Sequence, residues 1–484
     1  MPALPTDQEL VESGDREKSG VGVSAMVATR GWRWTPGLRR TGGRQGARGG
    51  CGIRERPPFA SRRKVASPLR KGAIPETLPR EFIIISAAMV RGGQTVDRRQ
   101  LLGLFGGIPL ALTSGFRPRA DRIVVIGGGI LGCATAYRLA RRGAEVTLCE
   151  RAELGAGASG KSGAWINAHQ SKLPQHYFEI SRLSTLAWRE LEQEVDGIRV
   201  RWGGRLEWSR DAEAGYALRA AAAKQQGWGY PMELVDEARI QKLVPPLIVD
   251  PGLTAAAFAP LEGAVEPIEA LGALAAAASA LGADIRLRTQ VRGIDLAGGR
   301  VSAVRTDSDV IGADAVVVTG GVDTSTIAGW LGVRIPLRPA PGVLAYTAGP
   351  APNLPAIVAG PDVFVIPHPS GRHVMGRGFV GQPVYSRDRP ASEQVEAEAV
   401  FQMARSRFTT MAHAKLDDIT VGWRPLPTDG HPIIGFVRSV PWLYPMVTHS
   451  GFTLAATLSR LAAIEILDGV SVDLLRPYRP ERFE

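Results

Sequence analysis

The sequence predicts an α/β fold, and two features carry that reading. Apolar residues Ile123–Ile126 run straight into Gly127-Gly128-Gly129, a helix-like segment follows, and a second apolar run ends in the acid Glu150. That order is strand, glycine turn, helix, strand, the opening of a Rossmann-like unit. Farther on, an alanine-rich helical stretch at about 268–281 precedes a hairpin at Gly298-Gly299 and the continuous apolar run Ala315–Val318 of a buried strand. With 484 residues and 44% hydrophobic content, the chain is long enough for two domains with their own cores.

Each glycine of the turn has a physical task. Gly127, Gly129 and Gly132 satisfy G-x-G-x-x-G. Gly127 allows the tight exit from the strand, Gly129 lets backbone approach a pyrophosphate, and Gly132 lets helix and strand pack closely. The first amides of the helix, around Ile130 and Leu131, present partial positive charge to phosphates. Ile130, Ala134 and Tyr137 keep the spacing of one helix face, so Arg138, Arg141 and Arg142 are expected to reach water from the other side. Glu150 follows Gly132 by 18 residues, where its carboxylate can accept both ribose hydroxyls of an adenosine. It would repel a 2′-phosphate, which argues against NADP. The turn by itself admits FAD or NAD.

The net charge of +11 is a poor guide to partners. Residues 1–120 hold 21 Lys+Arg and 9 Asp+Glu, and the rest holds 37 and 38. The body is nearly neutral and has no basic stripe for a phosphate backbone, so no nucleic-acid partner is expected. Residues 1–88, rich in Arg, Gly, Pro and Ser, keep no apolar period and read as a low-complexity basic leader, disordered or not translated. Over 89–118, Arg98-Arg99 precede Leu101-Leu102 and an apolar run of about 12 residues, too short to span a bilayer as a helix. This segment resembles a twin-arginine export signal. If translation starts near Met89, the protein is expected in the periplasm by that route; otherwise it is expected in the cytoplasm. The three cysteines, Cys51, Cys133 and Cys149, have no C-x-x-C spacing; Cys133 and Cys149 are expected as small buried apolar residues.

The residues after Glu150 separate the two cofactors. RAELGAGASGKSGAWINA, residues 151–168, is a long loop dense in Gly, Ala and Ser, where an NAD domain returns to a short βα unit. An acid followed by GASG-x-S/N-x-G resembles the FAD-dependent glycine/D-amino acid oxidase family. Ala158, Ser159, Gly160, Lys161, Ser162 and Gly163 stand at or near that pattern. Small residues suit a backbone that passes close to the pyrophosphate and the flavin. The resemblance covers nearly all of 121–484. It implies a Rossmann-like FAD-binding domain (119–205, 265–338 and 421–484) with an inserted α+β substrate domain built on an antiparallel sheet (206–264 and 339–420). It also implies FAD held by Gly127, Gly129, Ile130, Leu131, Gly132, Glu150, Arg151, Ala158, Ser159, Ser162, Gly163, Val291, Thr319, Gly320, Gly451, Phe452 and Thr453. No cysteine lies near the last glycine turn, so the FAD is expected to be non-covalent.

Two later segments bear on the substrate. FVIPHPSGRHVMGRG, residues 364–378, reads as two strands joined by a Pro-Ser-Gly turn. The resemblance places this hairpin in the substrate domain. His368 and His373, lone histidines five apart across the turn, are expected as polar turn residues and not as ligands or bases. Gly422, Arg424, Pro425, Asp429, Gly430, Pro432 and Gly435 then match G-x-R-P and D-G-x-P-x-x-G. By resemblance Arg424 pairs with the substrate carboxylate, a task suited to a permanently charged, forked guanidinium. An ion pair with an acid such as Asp429 is the structural alternative. Family members carry Gly-His-Gly-x-x-Gly at the final turn; here it reads Thr448-His449-Ser450-Gly451-Phe452-Thr453, which leaves His449 as a candidate substrate-side group. Trp165 and Asn167 are weaker pocket candidates, with Trp165 otherwise core.

The implied reaction is oxidation of the C–N bond of a small amino acid or N-methyl amino acid. Hydride passes to flavin N5, giving an imine that hydrolyses, with O2 or a quinone as electron acceptor. An amine that arrives unprotonated needs no side-chain base. The alternative is a non-catalytic flavoprotein, an assembly or binding factor on the same fold.

Overall fold

The glycine turn lies at the centre of a six-stranded sheet. The computed structural model describes residues 120–169, 172–249, 251–349, 351, 353–377 and 393–484. The leader at 1–88 and the export-like segment at 89–118 lie outside the described residues. The strands run in the order Ile433–Ile434, Leu443–Val447, Ala315–Val318, Arg122–Ile126, Glu145–Cys149 and Asp284–Arg286. All neighbours are parallel except the short edge strand Ile433–Ile434. Parallel strands covered on both faces need unbroken apolar runs, and Ile123–Ile126 and Ala315–Val318 are buried throughout. Arg122–Ile126 pairs with Ala315–Val318 on one side and Glu145–Cys149 on the other. Strand order reverses there, which opens a crevice at the carboxyl ends of the strands.

Helix Ile130–Ala140 packs against helices Pro267–Ala280 and Gly451–Asp468, and helix Gln175–Glu194 packs on the last of these. Close approach follows from small residues on the first helix, among them Cys133, Ala134 and Ala136, all buried. Cys133 and Cys149 are buried as expected, and burial pushes each thiol up to about 12. Arg138 departs from expectation. It is buried against helix Gln175–Glu194 and pairs with Glu194 at 2.6 Å, because a second helix covers the face that periodicity assigns to water. The hairpin expected at Gly298-Gly299 joins strands Val291–Ala297 and Arg300–Thr306, with φ of 56° and 78° at the two glycines. Positive φ at both central residues is what a type I′ turn requires.

The second large sheet has eight strands in the order Leu416–Arg424, Ala340–Thr347, His373–Arg377, Val363–Pro367, Ile357–Ala359, Arg205–Ser209, Ala255–Ala259 and Glu233–Leu234. It is antiparallel except where Ile357–Ala359 meets Arg205–Ser209. Helix Glu393–Arg407 packs on it and completes a core of Leu206, Val365, Met375, Val400 and Phe401. The architecture is the expected one: a Rossmann-like sheet and an inserted α+β part on a mainly antiparallel sheet. Strand Leu416–Arg424 runs across the boundary expected between 420 and 421, so Arg424 belongs to the second sheet.

Candidate active site

Gly127 has φ +110°, and a Cβ there would stand 2.6 Å from the carbonyl oxygen of Thr319. Thr319 ties the turn down: its Oγ1 donates to the carbonyls of Ile126 (2.9 Å) and Gly127 (3.0 Å). Glu150 ties it from the other side, accepting Gly128 N–H on Oε2 (2.7 Å) and Ala152 N–H on Oε1 (3.0 Å). Each carboxylate oxygen keeps a further lone pair for a ligand hydroxyl. Ser159 crosses the helix start, where its Oγ accepts Ile130 N–H at 3.0 Å, so one of the amides expected to face phosphate is engaged by the loop. Gly132 is the one candidate that does not line the cleft. Its Cβ would fall 1.9 Å from the Gly127 carbonyl oxygen, which makes it a packing glycine under the turn.

The remaining candidates meet in one cleft of about 1150 Å³. Gly127, Gly129, Ile130, Leu131, Glu150, Arg151, Ala158, Ser159, Ser162, Gly163, Val291, Thr319, Gly320, Gly451, Phe452 and Thr453 line it, together with Arg424 and His449. Arg151 is paired with Asp323 at 2.8 Å. The loop closes on the second sheet at Gly163, where a Cβ would lie 2.7 Å from Ile366 Cδ1. His368 Nε2 bonds to the Gly163 carbonyl oxygen at 3.0 Å. His368 and His373 are both buried and not polar turn residues: the cofactor loop at Gly163 meets His368, and His373 N–H donates to Thr347 Oγ1 inside the second sheet.

Leu344, Phe364, Ile366 and Trp165 pack in one apolar cluster and form an apolar wall of the same cleft that Arg424 and His449 line. Arg424 Nη2 donates to the Pro341 carbonyl oxygen at 3.1 Å. Asp429 is paired with Arg482 at 2.7 Å and is not the partner of Arg424. His449 is open to the cleft yet ringed by protein. That partial desolvation, with the charges of Arg424 and Lys172, pushes its pKa down to about 3, so the imidazole is neutral near pH 7. Asn167 also lines the cleft; its Nδ2 donates to Thr453 Oγ1 at 3.3 Å.

The profile of the FAD dependent oxidoreductase family matches residues 122–463. The chain belongs to this family. It is 27% identical over 378 residues to the glycine oxidase of Bacillus licheniformis, covering 76% of this chain and 99% of that protein. A 4-methylaminobutanoate oxidase (formaldehyde-forming) of Paenarthrobacter nicotinovorans is 31% identical over 271 residues, 54% of this chain and 32% of that one. Among solved structures, the L-amino acid deaminase of Proteus vulgaris superposes with a TM-score of 0.67 at 26% identity, covering 77% of this chain and 96% of that one. FAD is the cofactor of this family member, and the residues present fit it: a Cβ at Gly127 would meet the Thr319 backbone, Glu150 keeps lone pairs for ribose hydroxyls, and the small residues Ala158, Ser159, Ser162 and Gly163 line the same cleft.

The sequence has no signal for a charged network behind Trp165 in this flavoprotein. Trp165 Nε1 donates to Glu262 Oε2 at 3.0 Å, and Glu262 Oε1 accepts the amides of Ala168 (3.1 Å) and His169 (2.9 Å). The Arg205 guanidinium lies 4.8 Å over the Trp165 ring and pairs with Glu207 at 2.5 Å; His169 Nε2 meets the same carboxylate at 3.1 Å. Burial by itself would raise the Glu207 pKa, but Arg205 and His169 override it and hold it at about 2, below its ordinary 4.5. A depressed carboxylate contributes stability above its unfolded pKa and loses it as pH falls toward the folded value. Glu207→Gln strands Arg205, which is 1% exposed. It is expected to cost about 3–5 kcal/mol at pH 7 in denaturant unfolding. The gap from wild type should narrow as pH falls from 4.5 toward 2. A gap independent of pH would show that the carboxylate charge is not what matters.

Proposed function

We propose that this flavoprotein oxidises the C–N bond of a small amino acid or N-methyl amino acid, giving an imine that hydrolyses to a carbonyl compound and an amine or ammonia. The observation that carries this reading is a single cleft joining the dinucleotide turn to Arg424 and an apolar wall. When bound, FAD supplies the hydride acceptor. Arg424 holds the substrate carboxylate and so orients the C–N bond. Trp165, Leu344, Phe364 and Ile366 exclude water around the reacting carbon. Neutral His449 acts as a hydrogen-bond partner without adding charge beside Arg424, and the substrate amine enters unprotonated. The glycine oxidase and 4-methylaminobutanoate oxidase relatives support this class of reaction.

The test is the visible spectrum of the purified holoenzyme before and after anaerobic addition of D-amino acids, L-amino acids and N-methyl amino acids. Bleaching of the flavin bands by one of them is expected. Bleaching by none, in protein that carries flavin, would refute the reading. Peroxide formation on readmitting air identifies O2 as acceptor; its absence, with turnover restored by a soluble quinone, identifies the other route.

A further inference from the structure

We infer that Lys172, Tyr177 and Ser450 form a second anion seat at the Arg424 end of the cleft, in which the charge opposing the buried Lys172 ammonium comes from the ligand. The inference rests on the proposed amino acid oxidation, since it assigns a further contact of the same site.

Lys172 is 4% exposed. Its Nζ donates to Ser450 Oγ at 2.6 Å and lies 4.8 Å over the Tyr177 ring. Among the described residues no carboxylate pairs with it. A buried ammonium without a counter-charge is strongly unfavourable, and proteins that keep one bring an anion to it. The carboxylates on the cleft are already engaged elsewhere: Glu150 by the amides of Gly128 and Ala152, Asp323 by Arg151, and Glu396 by Arg377.

Ser450 connects this ammonium to the cleft, which it lines. A lysine can only donate, so Ser450 Oγ accepts from Lys172, and Tyr177 Oη stands 2.9 Å from the same oxygen. Ser450 is the N-cap of helix Gly451–Asp468, yet its side chain caps no amide. The hydroxyl is therefore held by Lys172 and Tyr177, not by the helix. A hydroxyl polarised by an ammonium behind it is a stronger donor to an anion in front. Ser450 follows His449 in the chain, and both line the cleft together with Arg424, while Lys172 and Tyr177 stand behind Ser450.

Two sources of negative charge fit: the substrate carboxylate, and the charge that FAD gains on reduction. The test uses holoenzyme and two readouts that need no turnover. One is the dissociation constant of benzoate, an inert carboxylate, from the flavin visible spectrum. The other is the two-electron reduction potential. Lys172→Met is compared with Lys172→Arg, which keeps the charge, and with Ser450→Ala, which keeps the fold if the buried methionine does not. If the seat holds the carboxylate, Lys172→Met weakens benzoate about tenfold or more, Ser450→Ala weakens it less, and Lys172→Arg restores most of it. If it faces the cofactor, the potential falls by about 30 mV, the equivalent of tenfold. Flavin-loaded Lys172→Met and Ser450→Ala proteins with wild-type benzoate affinity and potential overturn the proposal. Either shift without oxidation of any amino acid would count against the proposed reaction and leave the seat standing.

Discussion

Arg424→Ala is expected to lower kcat/KM for the carboxylate-bearing substrate by about two to three orders of magnitude, the ~3–4 kcal/mol of a desolvated charge-assisted pair. Arg424 stands at the end of strand Leu416–Arg424, opposite Ala340 in register, so its backbone is held by a ladder eight residue pairs long. The guanidinium enters the cleft while Nη2 donates to the Pro341 carbonyl, which points the fork. A preoriented arginine loses little freedom on binding, and that is why the effect should be large. Arg424→Lys should recover only part of it, since a point charge lacks the two-donor fork. The check is steady-state kinetics together with inhibition by an inert carboxylate. A purely structural role predicts a different pattern: lower thermal stability, with carboxylate affinity unchanged in the protein that remains folded.

Gly132→Ala is expected to yield protein without flavin and with an unfolding midpoint well below wild type. The added methyl would sit 1.9 Å from the Gly127 carbonyl oxygen and 2.8 Å from Thr319 Oγ1. Neither neighbour can give way cheaply. The carbonyl belongs to the turn itself, and Thr319 Oγ1 donates to that same carbonyl and to Ile126. Overpacking of a buried site costs about 1–3 kcal/mol, and more where the obstacle is backbone. Shifting the turn also moves Gly128 N–H away from Glu150 and disturbs both ends of the nucleotide cradle. The measurement is the ratio of flavin to protein absorbance on purification, with a thermal melt. Wild-type flavin content would show that the helix can slide away from the strand and that the close packing is dispensable.

The nucleotide half of the site was legible because its constraints are local. Gly127, Gly129, Gly132 and Glu150 fall within 24 residues, and each answers to a turn, a helix start or a strand end close by in the chain. The buried apolar runs Ile123–Ile126 and Ala315–Val318 could be read for the same reason: a parallel strand covered on both faces announces itself without its partners. The small-residue loop from Ala158 to Gly163 was readable only through resemblance, since composition alone also permits a surface linker.

What the tertiary structure decided is the substrate end and everything that supports it. Lys172 and Ser450 are 278 residues apart in the chain, Trp165 and Glu262 are 97 apart, and His368 meets Gly163 across 205. No spacing rule links such pairs; they meet because two sheets close over one loop. The same closure buried His368, the packing of the second sheet buried His373, and a neighbouring helix buried Arg138, three polar residues whose local sequence points to water. The sequence by itself determined a dinucleotide turn and the strands that frame it, since backbone sterics and apolar periodicity act within a few residues. Which charges face one another across the cleft is a property of how the sheets pack, because electrostatic partners are chosen by proximity in space and not by order along the chain.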